Sequence, residues 1–114
     1  MALVRERSRP AFVQVQTTFD SADEARALVR EAVEQRLAAC GQIVGPIESI
    51  YRWKGSVERA NEWLCLFKTS AARARELTSF IEAEHSYEVP EVVVLAVDRA
   101  SVSYGEWIDD ETGN

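Results

Sequence analysis

The sequence predicts a single α+β domain of order β-α-β-β-α-β with a short C-terminal helix. Four β-rich segments, Ala11–Phe19, Ile43–Trp53, Glu62–Ser70 and Glu91–Val97, supply the strands. Two stretches with apolar residues at helical spacing separate the first strand from the second and the third from the fourth. The chain has 114 residues, 46% apolar and 28% charged, which suits one hydrophobic core.

Each element has a local reason. In "AFVQVQTTF", Phe12, Gln14 and Gln16 alternate with Val13, Val15 and Thr17, the period of a strand. "SADE" sets Ser21 three residues before Glu24, a capping box that opens a helix. Ala25, Leu28, Val29, Ala32, Leu37 and Cys40 continue its apolar stripe, and Gly41 is the expected stop. Gly45-Pro46 interrupts the second strand as a bulge or edge feature, and "KGS" turns the chain, with a loop that could extend to Asn61. "EWLCLFKTS" is the third strand. Thr69 or Ser70 then caps a helix with Ala74, Leu77, Phe80, Ile81 and Glu84 on one face, ending near His85. Pro90 blocks further helix before the fourth strand, and "SVSYGEWI" forms the terminal helix. Residues 1–10, with Arg5, Arg7 and Arg9, read as a flexible tail, 11–110 as the domain, and 111–114 as a C-terminal tail.

This order is the ferredoxin-like split βαβ arrangement, and right-handed crossovers place both long helices on one sheet face. The other face should then be polar in a monomer. Yet the third strand carries Trp63, Cys65 and Phe67 on one side and Leu64 and Leu66 on the other. A sheet apolar on both faces needs a second cover, so the sequence predicts a homo-oligomer packed through its sheets.

A net charge of −6 argues against a nucleic-acid partner, which needs a basic face. The third strand also lacks the basic-Gly-aromatic pattern of an RNA-recognition module. "VVVLAV" is too short to span a membrane, and the first ten residues show no secretory h-region. Cys40 and Cys65 form no CxxC pair, so reduced thiols and a cytoplasmic location are expected.

Five motifs, "RLAACGQI", "SIYRWKG", "EWLCLFKTS", "HSYEVPEVVVLAV" and "SYGEWI", together resemble the CutA family of divalent-cation tolerance proteins. The likeness runs from about Phe12 to Ile108 with motif order kept. It implies a homotrimer similar in architecture to PII signalling proteins and a role in tolerance of copper and other divalent cations. It also implies that Cys40, Tyr51, Trp53, Glu62, Lys68, Tyr87, Glu91 and Trp107 line ligand-binding clefts between subunits, with His85, Pro90 and Tyr104 among the matching positions. Copper binding in the family invokes a Cys ending the first strand and a His pair before the Tyr. The corresponding residues here are Gln16, Glu84 and His85, and the family's "HPY" reads "HSY" with Ser86.

The residue chemistry leaves alternatives open. Lys68, at the end of an apolar strand, needs a carboxylate partner, for which Glu62 and Glu91 are candidates, or an anionic ligand. His85 with Glu84 is a metal candidate for copper or zinc, but one His with Glu84, Glu88 or Glu91 nearby is an incomplete set unless neighbouring subunits add donors. The alternative for His85 is a hydrogen bond at the helix end. Cys40, expected at a helix C-terminus, and Cys65, inside a strand, read as small buried residues. Tyr51, Trp53, Trp63 and Trp107 either stack a flat ligand or form interface core. No nucleophile elbow, phosphate loop or metal-protease spacing supports catalysis, so no enzyme is expected. Two readings remain: a trimer that binds a divalent cation or small anion, and an interaction trimer without a ligand.

Overall fold

The computed structural model describes residues 11–113; the expected N-terminal tail and Asn114 lie outside the described residues. Elements run β1 (Phe12–Phe19), α1 (Ala22–Glu34), β2 (Cys40–Trp53), β3 (Ser56–Ser70), a short 3-10 turn (Ala71–Arg73), α2 (Ala74–Glu84), β4 (Val93–Val97) and α3 (Val102–Thr112). The strands form one antiparallel sheet in the order β2-β3-β1-β4. The predicted α+β order and the predicted strands are present, with boundaries that differ in instructive ways.

Helix α1 opens as predicted, with the Ser21 hydroxyl accepting from the Glu24 N–H at 3.2 Å. It ends much earlier than Gly41. Arg36 adopts φ 61°, and its N–H and that of Leu37 return to the Val33 and Ala32 carbonyls, so the left-handed stop is an arginine rather than a glycine. Leu37, Ala38 and Ala39 remain buried, but as a connecting segment. Cys40 is therefore the first residue of β2, not a helix C-terminal residue.

The β2–β3 hairpin is tighter and longer than expected. Lys54 and Gly55 have φ of 49° and 86°, the geometry of a two-residue primed turn, so Trp53 pairs with Ser56 and no loop reaches Asn61. The bulge predicted at Gly45-Pro46 is observed as a register shift between Val44 and Ile47. Gly45 is required there because the Trp63 indole packs directly against it and leaves no room for a Cβ. β1 pairs with β3 only from Trp63 onward, so the hairpin beyond Ile47 and Glu62 is a two-stranded arm.

The expected caps of α2 work elsewhere. The buried Thr69 hydroxyl donates to the Leu37 carbonyl at 2.7 Å, and Ser70 accepts from the Thr112 hydroxyl. Helix α3 continues to Thr112, and the Arg36 and Arg73 guanidiniums donate to carbonyls of its last turn.

Cross-strand register divides the sheet into two faces. One carries Val13, Val15, Phe19, Cys65 and Phe67, which pack with Ala25, Leu28 and Val29 of α1 and Leu77 and Ile81 of α2. The residues closing this core are completely or almost completely buried. The opposite face shows the rows Leu95–Gln14–Lys68–Cys40 and Val93–Gln16–Leu66–Gln42. Helix α3 touches this face at one end, where Gly105 meets the Phe12 ring. Val44, Val93 and Leu95 stay exposed on it.

Candidate functional site

The open face has two chemically distinct ends. Where the arm joins the sheet, the His85–Val92 segment folds over the ends of β1 and β3. It is anchored by His85, whose Nε2–H donates to the Thr18 carbonyl at 2.8 Å while Nδ1 accepts the Tyr87 N–H at 3.0 Å. The ring also stacks on Phe19 with centroids 4.0 Å apart and planes 5° apart. Both ring nitrogens are thus committed, Nδ1 as acceptor and Nε2 as donor. The Ser86 hydroxyl holds the same segment to α1 through Glu24 at 3.2 Å.

This anchoring delivers Tyr87 to Glu62. The phenol O–H donates to Glu62 Oε2 at 2.7 Å, and Glu62 is only 7% exposed. Burial, reinforced by the adjacent carboxylate, raises the Tyr87 pKa well above its ordinary value, so the phenol stays a proton donor. Alongside, Gln16 Nε2–H donates to Glu91 Oε2 at 3.0 Å. Around these groups lies a concavity of about 710 Å³ lined by Tyr51, Trp53, Glu62, Tyr87, Glu88 and Glu91, with Thr18 and Ser49 among the further walls.

The other end lies under α3. Cys40 Sγ is 3.6 Å from the Tyr104 hydroxyl, and the Tyr104 and Trp107 rings are 5.4 Å apart. The hydrogen bond with Cys40, then burial, raises the Tyr104 pKa. Lys68 is the register partner of Cys40 and Gln14 and forms no ion pair among the described residues. Glu62 cannot be its partner in the same chain: the two are six positions apart on β3, ~20 Å at the rise of a strand. Glu91 is engaged by Gln16 instead.

The predicted cleft residues therefore separate. Tyr51, Trp53, Glu62, Tyr87 and Glu91 come together; Cys40, Lys68 and Trp107 gather at the far end. Glu84 is exposed on the last turn of α2, and among the described residues no group of at least three His, Cys, Asp or Glu side chains could hold a metal ion. Within one chain, the donors do not fit a copper or zinc centre. Sequence reasoning missed Thr18, whose carbonyl fixes His85, and weighed Glu88, which lies on the rim, only as a carboxylate near His85. Thr18 acts through its backbone, which its side-chain identity does not announce.

The chain is thus an α+β domain with one sealed sheet face, one open face and a concavity where the hairpin arm begins. Residues 13–111 match the family model described as CutA1 divalent ion tolerance protein, and the chain belongs to that family. It is 40% identical over 96 residues to the divalent-cation tolerance protein CutA of Thermus thermophilus, covering 84% of this chain and 93% of the relative. It is 36% identical over 102 residues to the chloroplastic protein CutA of Arabidopsis thaliana, covering 90% of this chain and 56% of the relative. The chain spans about half the length of the plant and mammalian relatives it matches. Among solved structures, CutA1 from Oryza sativa superposes with a TM-score of 0.88 at 31% identity over 95% of this chain and 99% of that one. The Thermus thermophilus protein gives a TM-score of 0.86 at 38% identity over 90% and 99%. Relatives are described as chloroplastic and as periplasmic. No helix among the described residues is long and apolar enough to cross a membrane.

Proposed function

We propose that this chain is a non-enzymatic binding or regulatory protein in the response to copper and other divalent cations. It works in the cytoplasm as a homotrimer with PII-like architecture, and its ligand sites are clefts between copies. The observation that carries the reading is the split of the candidate residues. Glu62 with its neighbours and Lys68 with its neighbours occupy opposite ends of one open face, so within a chain they form two half-sites. Packing the far end of one copy against the concavity of the next makes one cleft from both, gives Lys68 a carboxylate partner, and covers Leu95 and Val93. Family membership supports the link to divalent cations. A metal contact at His85 and Glu84 requires the ring to release one of its two hydrogen bonds and a neighbouring copy to supply further donors.

Calorimetry with Cu²⁺, Zn²⁺ and inorganic phosphate, on wild type and on a His85→Ala, Lys68→Ala double variant, tests the cleft. Equal heats from both proteins remove these two residues from it. The alternative is an interaction trimer with no ligand, favoured by the hairpin arm, where Ile50 and Val57 are 66% and 64% exposed. It predicts that cleft variants keep the assembly and that no small ligand binds to wild type.

A further inference from the structure

Resting on the reading of the concavity as part of a cleft, we infer that Ser86–Pro90 is a movable flap over it, latched to the tip of the arm by the Lys54–Glu88 ion pair. The concavity has two opposed walls. One is the β2–β3 arm, which presents Ser49, Tyr51 and Trp53. The other is the flap, which presents Tyr87, Glu88, Val89 and Pro90. The arm is held along its length by strand pairing, from Ile47 opposite Glu62 to Trp53 opposite Ser56. The flap has no such support. Among the described residues, no backbone–backbone hydrogen bond ties Ser86–Pro90 to the rest of the chain. A segment hung on side chains opens at lower cost than the paired elements beside it.

The attachments of the flap are graded by burial. At its root the Tyr87 phenol donates to Glu62, which is 7% exposed, and the Tyr87 N–H donates to His85 Nδ1. Beyond the flap, Glu91 accepts from Gln16 two residues before β4 begins. Between these points Val89 is 66% exposed, and Glu88 is held through its carboxylate, 3.6 Å from Lys54 Nζ. The Lys54 ammonium also lies 5.5 Å from the centroid of the Trp53 ring, so one cation joins flap and arm across the mouth. Both members of the ion pair are 71% exposed. Such a pair biases an equilibrium by about 1.5-fold to fivefold, whereas a hydrogen bond to a buried carboxylate biases it by about tenfold or more. The latch therefore yields first. Opening moves Glu88–Pro90 away from Trp53 and leaves Tyr87 on Glu62. Lys68 from a neighbouring copy, brought to Glu62, meets the root and not the latch, so the assembly leaves the flap its motion.

The test reads the mouth on the full chain with no ligand present. A neutral gadolinium chelate broadens the Trp53 indole N–H resonance according to its exposure, and relaxation dispersion on the Glu88 and Val89 amides reports motion of the flap. Lys54→Glu and Glu88→Lys should each raise the Trp53 broadening and the open population about twofold to fivefold. The double exchange of both residues restores an opposite-charge pair and should return both readouts to wild type. Raising salt from ~0.05 M to ~0.5 M should act on wild type as the single variants do. Single variants that leave Trp53 and the flap amides as in wild type overturn the latch. A double exchange that behaves as the sum of the two singles also overturns it, because the two charges then do not act on each other. Calorimetry that detects no ligand removes the cleft and leaves the flap standing, whereas a silent latch removes the flap and leaves the cleft.

Discussion

At one end of the open sheet face an acid, Glu62, is buried against a phenol in a walled concavity; at the other a lysine, Lys68, stands half-buried beside a thiol with no counter-charge among the described residues. The residues at both ends match the family's recurring positions, yet only one end is walled in by its own chain. The difference lies in the covering segment. The near end is overlaid by a loop pinned through His85 to β1, whereas the far end meets one short helix whose Trp107 and Tyr104 are 39% exposed. A buried charge must be satisfied locally, while a half-buried ammonium reaches water along its stem. The near end is therefore complete in its polar contacts, whereas Lys68 at the far end meets no carboxylate among the described residues.

Substitutions at the two ends should separate accordingly. Glu62→Leu strands the Tyr87 hydroxyl and removes a hydrogen bond to a charged acceptor, with an expected loss of about 2–3 kcal/mol in urea unfolding. Lys68→Met breaks no ion pair among the described residues, and in isolated monomer should move stability by less than about 0.5 kcal/mol. A larger loss from Lys68→Met would erase the contrast. A loss seen only in the assembled protein would sharpen it, because the missing counter-charge would then belong to a neighbour.

A smaller effect tests the core beneath the two ends. Thr17 is fully buried on the helix-facing side, and its Oγ1 has no hydrogen-bond partner among the described residues. Thr17→Val keeps the shape and removes the orphan hydroxyl, so it should stabilise the fold by about 1 kcal/mol, measured by denaturant midpoint.

Alkaline pH gives the most graded readout. Burial raises the Cys65 thiol to about 11, and Tyr87 and Tyr104 are raised as well. Each folded-state pKa lies above its unfolded value, so the folded chain keeps protons that the unfolded chain releases. This contribution is intact below the unfolded values, near pH 9.0 for the thiol, and declines as pH rises toward the folded ones. The melting temperature should hold at neutral pH and fall above roughly pH 9, and Tyr87→Phe should flatten the part of the decline that begins near pH ~10. A profile flat to higher pH would mean that these groups titrate as if exposed.

Much of this architecture was legible in the residues. The alternation of β1, the Ser21 capping box and the Gly45-Pro46 bulge all led to the observed elements. Where the reading failed, a local signal competed with a tertiary one. Leu37 and Cys40 continue the helical period, but Arg36 takes the left-handed conformation and the apolar residues are buried as a connection. "SVERAN" looks like a loop because it is polar, yet it pairs residue by residue with β2 in an arm that has solvent on both sides. The aromatic and acidic members of the site were identifiable by type. That Glu62 answers Tyr87 and not Lys68 depended on how far along β3 each lies and on a loop closure set by a backbone carbonyl of Thr18.

Native mass spectrometry of wild type and Lys68→Met tests most directly whether the two ends of the open face meet between copies. A homotrimer mass for wild type, with Lys68→Met shifted toward the single-chain mass, is the expected result. A single-chain mass for wild type, or a homotrimer equally stable with Lys68→Met, would contradict it.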